Sequence, residues 1–518
     1  MLNYWWVTRP KRKLNSVPEV LAEVVEVSLN KQWQGERKTH ITLEESLEAK
    51  GLKRPGTRRD QGGGGGRTYT AWLKSLGLVF MEESTRQLKL TLAGEAIMAG
   101  ESPVKVLKSQ VLKYQFPSAF SVSRGVNVNR RFKVHPFRFL LMLMQDSRIG
   151  YLTTEEIGKI VIEEGEDEKC VEPVIKHILE FRDVGDGCLA SDFFVRYGSN
   201  RKEHNAKNPF QYLTDIANTM MNWLEYTQLV VRGEGKISIS PDKEKEVREY
   251  LNVSEIFIER PEQQEYFQRK YGLDSKHQKD TRNLTESQTV TANIIANNQI
   301  RKWYLGLAAS YPITGITSNT ISYVSDNTGL AEQYVEDVLH KEYPHGSIGA
   351  FLSNYYEMAF KGRDEATEFE KATAILFHEV FGFETTHVGP IGLTPDVLLN
   401  ANEYQAIIDN KAYSSYTISN DHRNRMIHNY IEDIDHYGKQ GKPLAFFTYI
   451  AGGFGKNINN QIESIYKDTG VCGSAVSVAN IILMVEVANN NKLDFNSIRK
   501  IFSVNRQLLQ KDVTGKQY

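Results

Sequence analysis

The residues best suited to chemistry lie toward the C-terminal end, where Pro395-Asp396 is followed a dozen residues later by Asp409-Asn410-Lys411. Asp396 opens the apolar run Val397-Leu-Leu399, a short turn is expected around Asn400 to Glu403, and Ala406-Ile-Ile408 leads into Asp409. Two strands joined by a tight turn bring Asp396 and Asp409 to one edge of a hairpin, and the two-residue period of a strand puts Lys411 on the face of Asp409. Two hard carboxylate oxygens and a backbone carbonyl, that of Asn410, favour Mg²⁺ with retained waters, and the Lys411 ammonium is suited to orienting a water or hydroxide for in-line attack on phosphorus. Glu370, from a helix expected over about Arg363 to Phe381, is placed to hold or orient a metal-bound water. The same spacing also fits a structural Asp409–Lys411 ion pair on an edge strand. A carboxylate and an ammonium ending so apolar a strand carry a desolvation cost, which favours the chemical reading.

A hairpin needs a larger domain to hold it, and 518 residues exceed what one hydrophobic core supports. The expected organisation is multidomain, with a mainly α N-terminal half and a C-terminal α/β domain. The borders fall at 1–140, 141–252, 253–350 and 351–518. Charge separates the first segment from the rest: residues 1–140 carry 24 Lys and Arg against 12 Asp and Glu, a net of +12, and the remainder a net of −13. Such an excess is the footprint of a polyanion ligand. Arg54, Arg58, Arg59 and Arg67, around a run of five glycines, are candidates for phosphate or guanine contacts, and Arg124, Arg130, Arg131 and Lys133 form a second basic cluster. The glycine run lacks the fixed spacing of a nucleotide loop and reads as a tether.

Two stretches look like copies of one another. Tyr69-Thr-Ala-Trp72-Leu73 reads as helix, Leu78-Val79 and Leu88-Lys-Leu90-Thr-Leu92 as the strands of a hairpin, and a new helix follows at Ala93. Ala217 to Trp223-Leu224, Leu229-Val-Val231, Ile237-Ser-Ile239 and Asp242 repeat that order. A helix running into a hairpin is the outline of a winged helix, a module that binds DNA with its helix in the major groove and also serves in protein contacts. From about Asn252 to Glu286 the polar, charge-rich sequence predicts a loosely packed connection, with helices after it over Thr289 to Ser310 and Leu330 to Lys341.

From about Glu368 to Lys500 the sequence resembles the cleavage domain of FokI-type restriction endonucleases. The likeness runs through Phe377-His-Glu-Val-Phe-Gly-Phe383, Thr394-Pro-Asp396, Ile408-Asp-Asn-Lys-Ala-Tyr413-Ser, Phe446-Phe-Thr-Tyr-Ile-Ala-Gly-Gly-Phe454 and Gly473-Ser-Ala-Val-Ser-Val478. It implies a PD-(D/E)XK fold, with Asp396, Asp409 and Lys411 at the catalytic positions and Glu370 as the helix acid. The N-terminal half resembles recognition regions of AlwI-like type IIS or nicking enzymes, through Tyr4-Trp5 to Pro10, the Arg-rich loop and the paired helix–hairpin copies. The resemblance implies Mg²⁺, double-stranded DNA as partner, a separately encoded cognate methyltransferase and a prokaryotic cytoplasmic setting. In FokI-type domains an acid and a base one helical turn apart pair two cleavage domains. The helix expected over Asn420 to Tyr437 has Arg425 and Asn429 at those places, without the acid. A monomer in solution, pairing transiently on DNA, is therefore expected.

Three other readings stay open, a site-specific nicking enzyme, a winged-helix DNA-binding regulator with an inactive nuclease domain, and a DNA repair or transposition nuclease built from the same parts; the intact Asp396, Asp409 and Lys411 argue against the regulator. No apolar run approaches the roughly 18 residues that span a bilayer, so no membrane role is expected. Cys170, Cys188 and Cys472 lack the spacing of a zinc site or a disulfide framework and read as packing residues.

Overall fold

The tryptophans of the two copies, Trp72 and Trp223, are both fully buried, each on the helix that precedes its hairpin. The computed structural model describes residues 1–55, 62–122, 127–197, 210–233, 235–284, 292–388, 394–490 and 493–515. They fall into two compact units, residues 1–306 with 316–344, and 307–315 with 345–518. The chain is α-rich, with its one extended mixed sheet among the described residues in the second unit.

In the first unit the helix Gly64–Ser75 buries Tyr69, Trp72 and Leu73 and ends at Gly77, whose φ of +69° reverses the chain. Strand β1 (Val79–Met81) pairs antiparallel with β2 (Leu88–Leu90), Val79 opposite Leu90. Glu82 holds the turn between them by accepting hydrogen bonds from the backbone of Ser84 at 2.9 Å and Thr85 at 2.6 Å. Burial would raise its pKa, but these bonds outweigh burial and pull it down to about 2. Thr91 Oγ1 then accepts from Gly94 N at 3.1 Å and caps the helix Leu92–Met98. Residues Leu29 and Gln32, just after the helix Val17–Ser28, form bridges to Leu88 and Gln87.

The second copy has the same order with a fuller sheet. Strand β3 (Tyr151–Thr153) lies beside the hairpin of β4 (Val230–Gly233) and β5 (Lys236–Ile239), in the order β3-β5-β4, antiparallel throughout. The preceding helix Gln211–Tyr226 inserts Trp223, which stacks on Phe137 at 5.9 Å and meets Tyr114 edge-on.

The segment after Asn252 differs from the loose connection expected. It contains the helix Gln264–Tyr271, whose Phe267 and Tyr271 are buried. Gln110 bonds the carbonyls of Leu76 and Tyr271, both at 3.1 Å, and the Tyr271 hydroxyl donates to the Gln110 carbonyl at 2.8 Å. Asp280 sits between Arg269 and Arg282; burial would raise its pKa, and the two guanidiniums bring it down to about 2. Polar composition concealed an i, i+4 aromatic pair that docks on the first helix–hairpin copy.

In the second unit a six-stranded sheet has the order β11-β10-β9-β8-β7-β6. Strands β6 (Glu384–His387), β7 (Val397–Asn400) and β8 (Gln405–Asn410) form an antiparallel meander, and β9 (Leu444–Ala451), β10 (Cys472–Ser477) and β11 (Arg506–Gln507) continue from β8 in parallel. Both faces of β8 are covered, so it reads as an unbroken buried run. Ala406 and Ile408 face one core with Phe369, Phe377 and Val485, whereas Ile407 faces another with Met426, Tyr449 and Ile462.

Replacing Tyr271 by Ala should lower the unfolding free energy of the first unit by about 3–5 kcal/mol, the usual loss for a buried aromatic. Urea unfolding followed by tryptophan fluorescence measures this. A loss below about 1 kcal/mol would mean that the 264–271 helix contributes little packing.

Candidate active site

The register of β7 on β8 sets the site, because Val397 lies opposite Ile408, and the next position along each strand is Asp396 and Asp409. Asp396 Oδ2 accepts the backbone N–H of Asn410 at 2.6 Å. The Asp396 carbonyl accepts from Val388 at 3.1 Å, which ties the end of β6 to the same place. Lys411, one residue beyond β8, reaches Asp409 Oδ2 at 2.7 Å, as the alternation of the strand requires. Asn410 points to the opposite face, where its amide donates to Thr373 Oγ1 at 2.7 Å.

Thr373 belongs to the helix Ala366–Glu379, shares a hydrogen bond of 2.9 Å with the Tyr355 hydroxyl, and so locks this helix to the end of β8. Glu370 lies three residues earlier on the same helix, and its Oε2 is 3.1 Å from His387 Nε2 at the end of β6. The structure thus brings Asp396, Asp409, Lys411 and Glu370 within electrostatic reach of one another. Thr373 and His387 were missed in the sequence. The i, i+3 relation of Thr373 to Glu370 was a usable signal for the first; nothing short of the β6–β7 pairing reveals the second.

Burial raises the Asp396 pKa well above the carboxylate range, the charge of Asp409 adds to the rise, and Lys411 opposes it. Burial would lower the Lys411 pKa, but Asp409 and Asp396 outweigh it and the ammonium is held charged. Asp409 Oδ1 is buried and has no hydrogen-bond partner among the described residues. A buried carboxylate oxygen without a donor, beside a second carboxylate that resists ionisation, fits a divalent cation, which would satisfy the first and stabilise the second. Among the described residues no group of three or more His, Cys, Asp or Glu side chains converges as a metal cage. The fit is to two carboxylates with a backbone carbonyl, the sparse protein coordination that Mg²⁺ tolerates because it keeps waters.

Tyr416 and His422 lie along the same side. The Tyr416 hydroxyl is 2.7 Å from His422 Nδ1, and their rings stack at 5.8 Å. The helix expected over 420–437 is present in pieces, Asn420–Asn424, a wider π-type turn Arg425–Ile431, and Ile434–Tyr437. Within this stretch Arg425 pairs with Asp421, whose Oδ2 is 2.9 Å away.

The basic candidates of the N-terminal half are placed unequally. Arg58, Arg59 and Arg124 lie outside the described residues. Arg54 and Arg130 are exposed, and Arg67 is half-buried with its guanidinium on the Gly62 carbonyl at 2.5 Å. Arg131 is occupied internally by Glu166 at 2.5 Å and by the carbonyls of Asn3 and Glu163, a structural role that its charge alone did not suggest. Lys133 pairs at the surface with Glu259 at 2.6 Å. None of the described helices is long and apolar enough to cross a membrane, and the three cysteines are free thiols.

Comparison with known proteins gives two family matches. The AlwI restriction endonuclease family matches residues 74–365, and the FokI cleavage domain matches residues 329–509. The type II restriction enzyme StsI of Streptococcus sanguinis is 26% identical over 148 residues, 26% of this chain and 24% of that protein, so the match spans about a quarter of its length. The structure of restriction endonuclease FokI is 13% identical with a TM-score of 0.29, covering 98% of this chain and 100% of that one. The binding domain of the BpuJ1 endonuclease, in complex with modified DNA, is 12% identical with a TM-score of 0.35 over 52% of this chain and 96% of that one.

The raised Asp396 pKa fixes the sign of a stability change. A carboxyl that holds its proton more tightly when folded contributes stability below its unfolded pKa, and that contribution is lost as pH rises toward the folded value. Without metal at neutral pH, Asp396→Asn should therefore melt at a higher temperature than the wild type, with the gap closing near about pH 4. A divalent cation should stabilise the wild type and not the variant. Calorimetry in EDTA and then in Mg²⁺ reads both; a variant that melts lower in EDTA at neutral pH would contradict the crowding of the two carboxylates.

Proposed function

Since the chain belongs to the AlwI restriction endonuclease family, we propose that it is a type IIS, sequence-specific, Mg²⁺-dependent endonuclease that cuts double-stranded DNA outside an asymmetric site. The observation that carries this reading is the meeting of Asp396, Asp409 and Lys411 at the joined ends of β7 and β8, with Asp409 Oδ1 left bare. When bound by Asp396, Asp409 and the Asn410 carbonyl, the cation supplies Lewis acidity to the scissile phosphate. Lys411, held charged by its neighbours, acts as a donor and cation that orients the attacking water and offsets charge on phosphorus, not as a proton acceptor. Glu370 accepts a hydrogen bond from water on the other side. The intact constellation weighs against a regulator with a dead nuclease domain.

Recognition is assigned to residues 1–252, with 253–350 as connecting structure and cleavage in 351–518. Both helix–hairpin copies fit winged helices, supported by the strand or bridge that flanks each hairpin on the side of an earlier helix. In this reading Arg54, Arg58, Arg59, Arg67 and Arg130 face DNA, Lys133 joins them once its surface pair with Glu259 opens, and Arg131 shapes the fold. A cognate methyltransferase encoded separately protects host DNA. The matches to restriction endonuclease families weigh against the nicking alternative. One site per chain hydrolyses one strand at a time, so a monomer in solution that pairs transiently on DNA would give a double-strand break.

Asp409→Ala and Lys411→Ala should each reduce cleavage of plasmid DNA by on the order of 10⁴-fold while leaving specific binding nearly unchanged. Ends sequenced from wild-type digests with Mg²⁺ give the site and offset. No cleavage by the wild type with any divalent ion, alongside sound specific binding, would restore the regulator reading.

Linear product should rise more steeply than nicked product with protein concentration, and binding should weaken sharply with salt through counterion release. A stable dimer by sedimentation without DNA would refute the monomer, and linear product formed at a concentration-independent rate by monomers would refute pairing.

A further inference from the structure

We propose that His422 touches the DNA backbone beside the cleaved bond, donating a hydrogen bond from Nε2 to a phosphate oxygen, and that Tyr416 is the positioning residue that fixes the imidazole for this. The inference rests on the phosphodiester-hydrolysis reading above and adds a substrate contact to it.

The argument starts from one proton. Tyr416 is buried, and among the described residues its hydroxyl has one hydrogen-bond partner, His422 Nδ1 at 2.7 Å. Burial, reinforced by the charge of Asp409, raises its pKa, so the phenol keeps its proton. A buried hydroxyl must place its proton on an acceptor, and here that acceptor is Nδ1. The lone pair of Nδ1 is thereby used, and a neutral imidazole must carry its hydrogen on Nε2. Nε2 has no acceptor among the described residues, and the residue is only partly buried. Burial and then the positive charge of Lys411 lower the His422 pKa, against Asp409 and Asp421, which raise it, so the ring is neutral at neutral pH.

The ring is also held in place. Ser419 Oγ accepts the His422 backbone N–H at 3.2 Å. Tyr416 stacks on the ring and also on Tyr413, which is exposed. Tyr449, which stands opposite Asp409 in the β8–β9 register, packs against Tyr416. A rigid N–H donor without a protein acceptor therefore stands close enough to Asp409 and Lys411 for their charges to act on it. The substrate of that site is a polyanionic backbone, whose phosphate oxygens accept hydrogen bonds. A neutral donor suits the position better than a second cation, because it holds a phosphate without repelling a divalent ion between Asp396 and Asp409.

The test uses full-length protein, Mg²⁺ and duplexes carrying the mapped site, with single phosphates near the cut replaced in turn by neutral methylphosphonate. His422→Ala should slow single-turnover cleavage about 10- to 100-fold, the effect of one hydrogen bond to a charged group, with specific binding kept. At one phosphate the methylphosphonate should slow the wild type by a similar factor and leave H422A unaffected, while other positions slow both. H422Q, which retains a donor near the position of Nε2, should recover most of the rate, and it carries the test if H422A folds poorly. Tyr416→Phe should reduce the rate less and change the ¹⁵N signals of His422 from one tautomer to a mixture. Cleavage by H422A at the wild-type rate, or a methylphosphonate profile identical in H422A and wild type, would overturn the contact. Failure of the wild type itself to cut would instead sink the hydrolysis reading beneath it.

Discussion

Two carboxylates, Asp409 buried and Asp396 half-buried, are held side by side, and the rest of the C-terminal unit depends on that constraint. Asp396 and Asp409 stand on adjacent strands, and burial and mutual repulsion together push the Asp396 pKa well up. Lys411 and the Asn410 N–H offset part of the cost, and Asp409 Oδ1 is left without a donor among the described residues. Such an arrangement is poor for stability. It persists because the β7–β8 register cannot shift by one residue without turning Ile407 and Ile408 each into the wrong core. Packing of the strand therefore sustains electrostatic strain at its end, and a cation binding there gains what the apoprotein lacks.

The scaffold fixes each member of the site from a different direction. β6 and β7 bring Asp396 and His387, β8 brings Asp409 and Lys411, and the helix Ala366–Glu379 brings Glu370 and Thr373. Thr373 ties this helix to β8 through Asn410 and to the separate helix Ile348–Met358 through the Tyr355 hydroxyl, and it lies one turn from Glu370. A displacement of the helix would therefore move the acid relative to the strand-borne carboxylates, which is why a threonine without chemistry of its own matters to the geometry.

What the sequence revealed follows from the range over which each feature acts. Alternation along a strand is local, so Lys411 could be placed with Asp409, and a short turn was enough to bring Asp396 to them. The helix–hairpin copies were legible for the same reason, as Trp72 and Trp223 are core residues within short periodic runs. Contacts between distant segments were not legible. His387 on Glu370, Tyr271 on Gln110 and Arg131 on Glu166 each join residues whose neighbours in sequence say nothing of the partner. The polarity of 252–286 was real, but Arg269, Asp280 and Arg282 pair with one another inside the fold and do not mark a loose linker.

Charge counted along a sequence is an upper limit on charge available to a polyanion. Several cations of the basic segment are answered by acids from the acidic remainder of the chain: Arg131 by Glu166, Arg138 by Glu168, Lys133 by Glu259 and Lys108 by Glu246. These pairs are not equivalent. Arg138 is 4% exposed and also bonds the carbonyls of Tyr250 and Leu251, so no phosphate can reach it without unfolding. Lys133 and Glu259 are 57% and 66% exposed, and a surface pair of that kind is worth about 0–1 kcal/mol, little enough for a phosphate to replace the carboxylate. The positive charge left at the surface is therefore set by burial more than by composition, with Arg54 and Arg130 exposed and Lys133 held only by a loose pair.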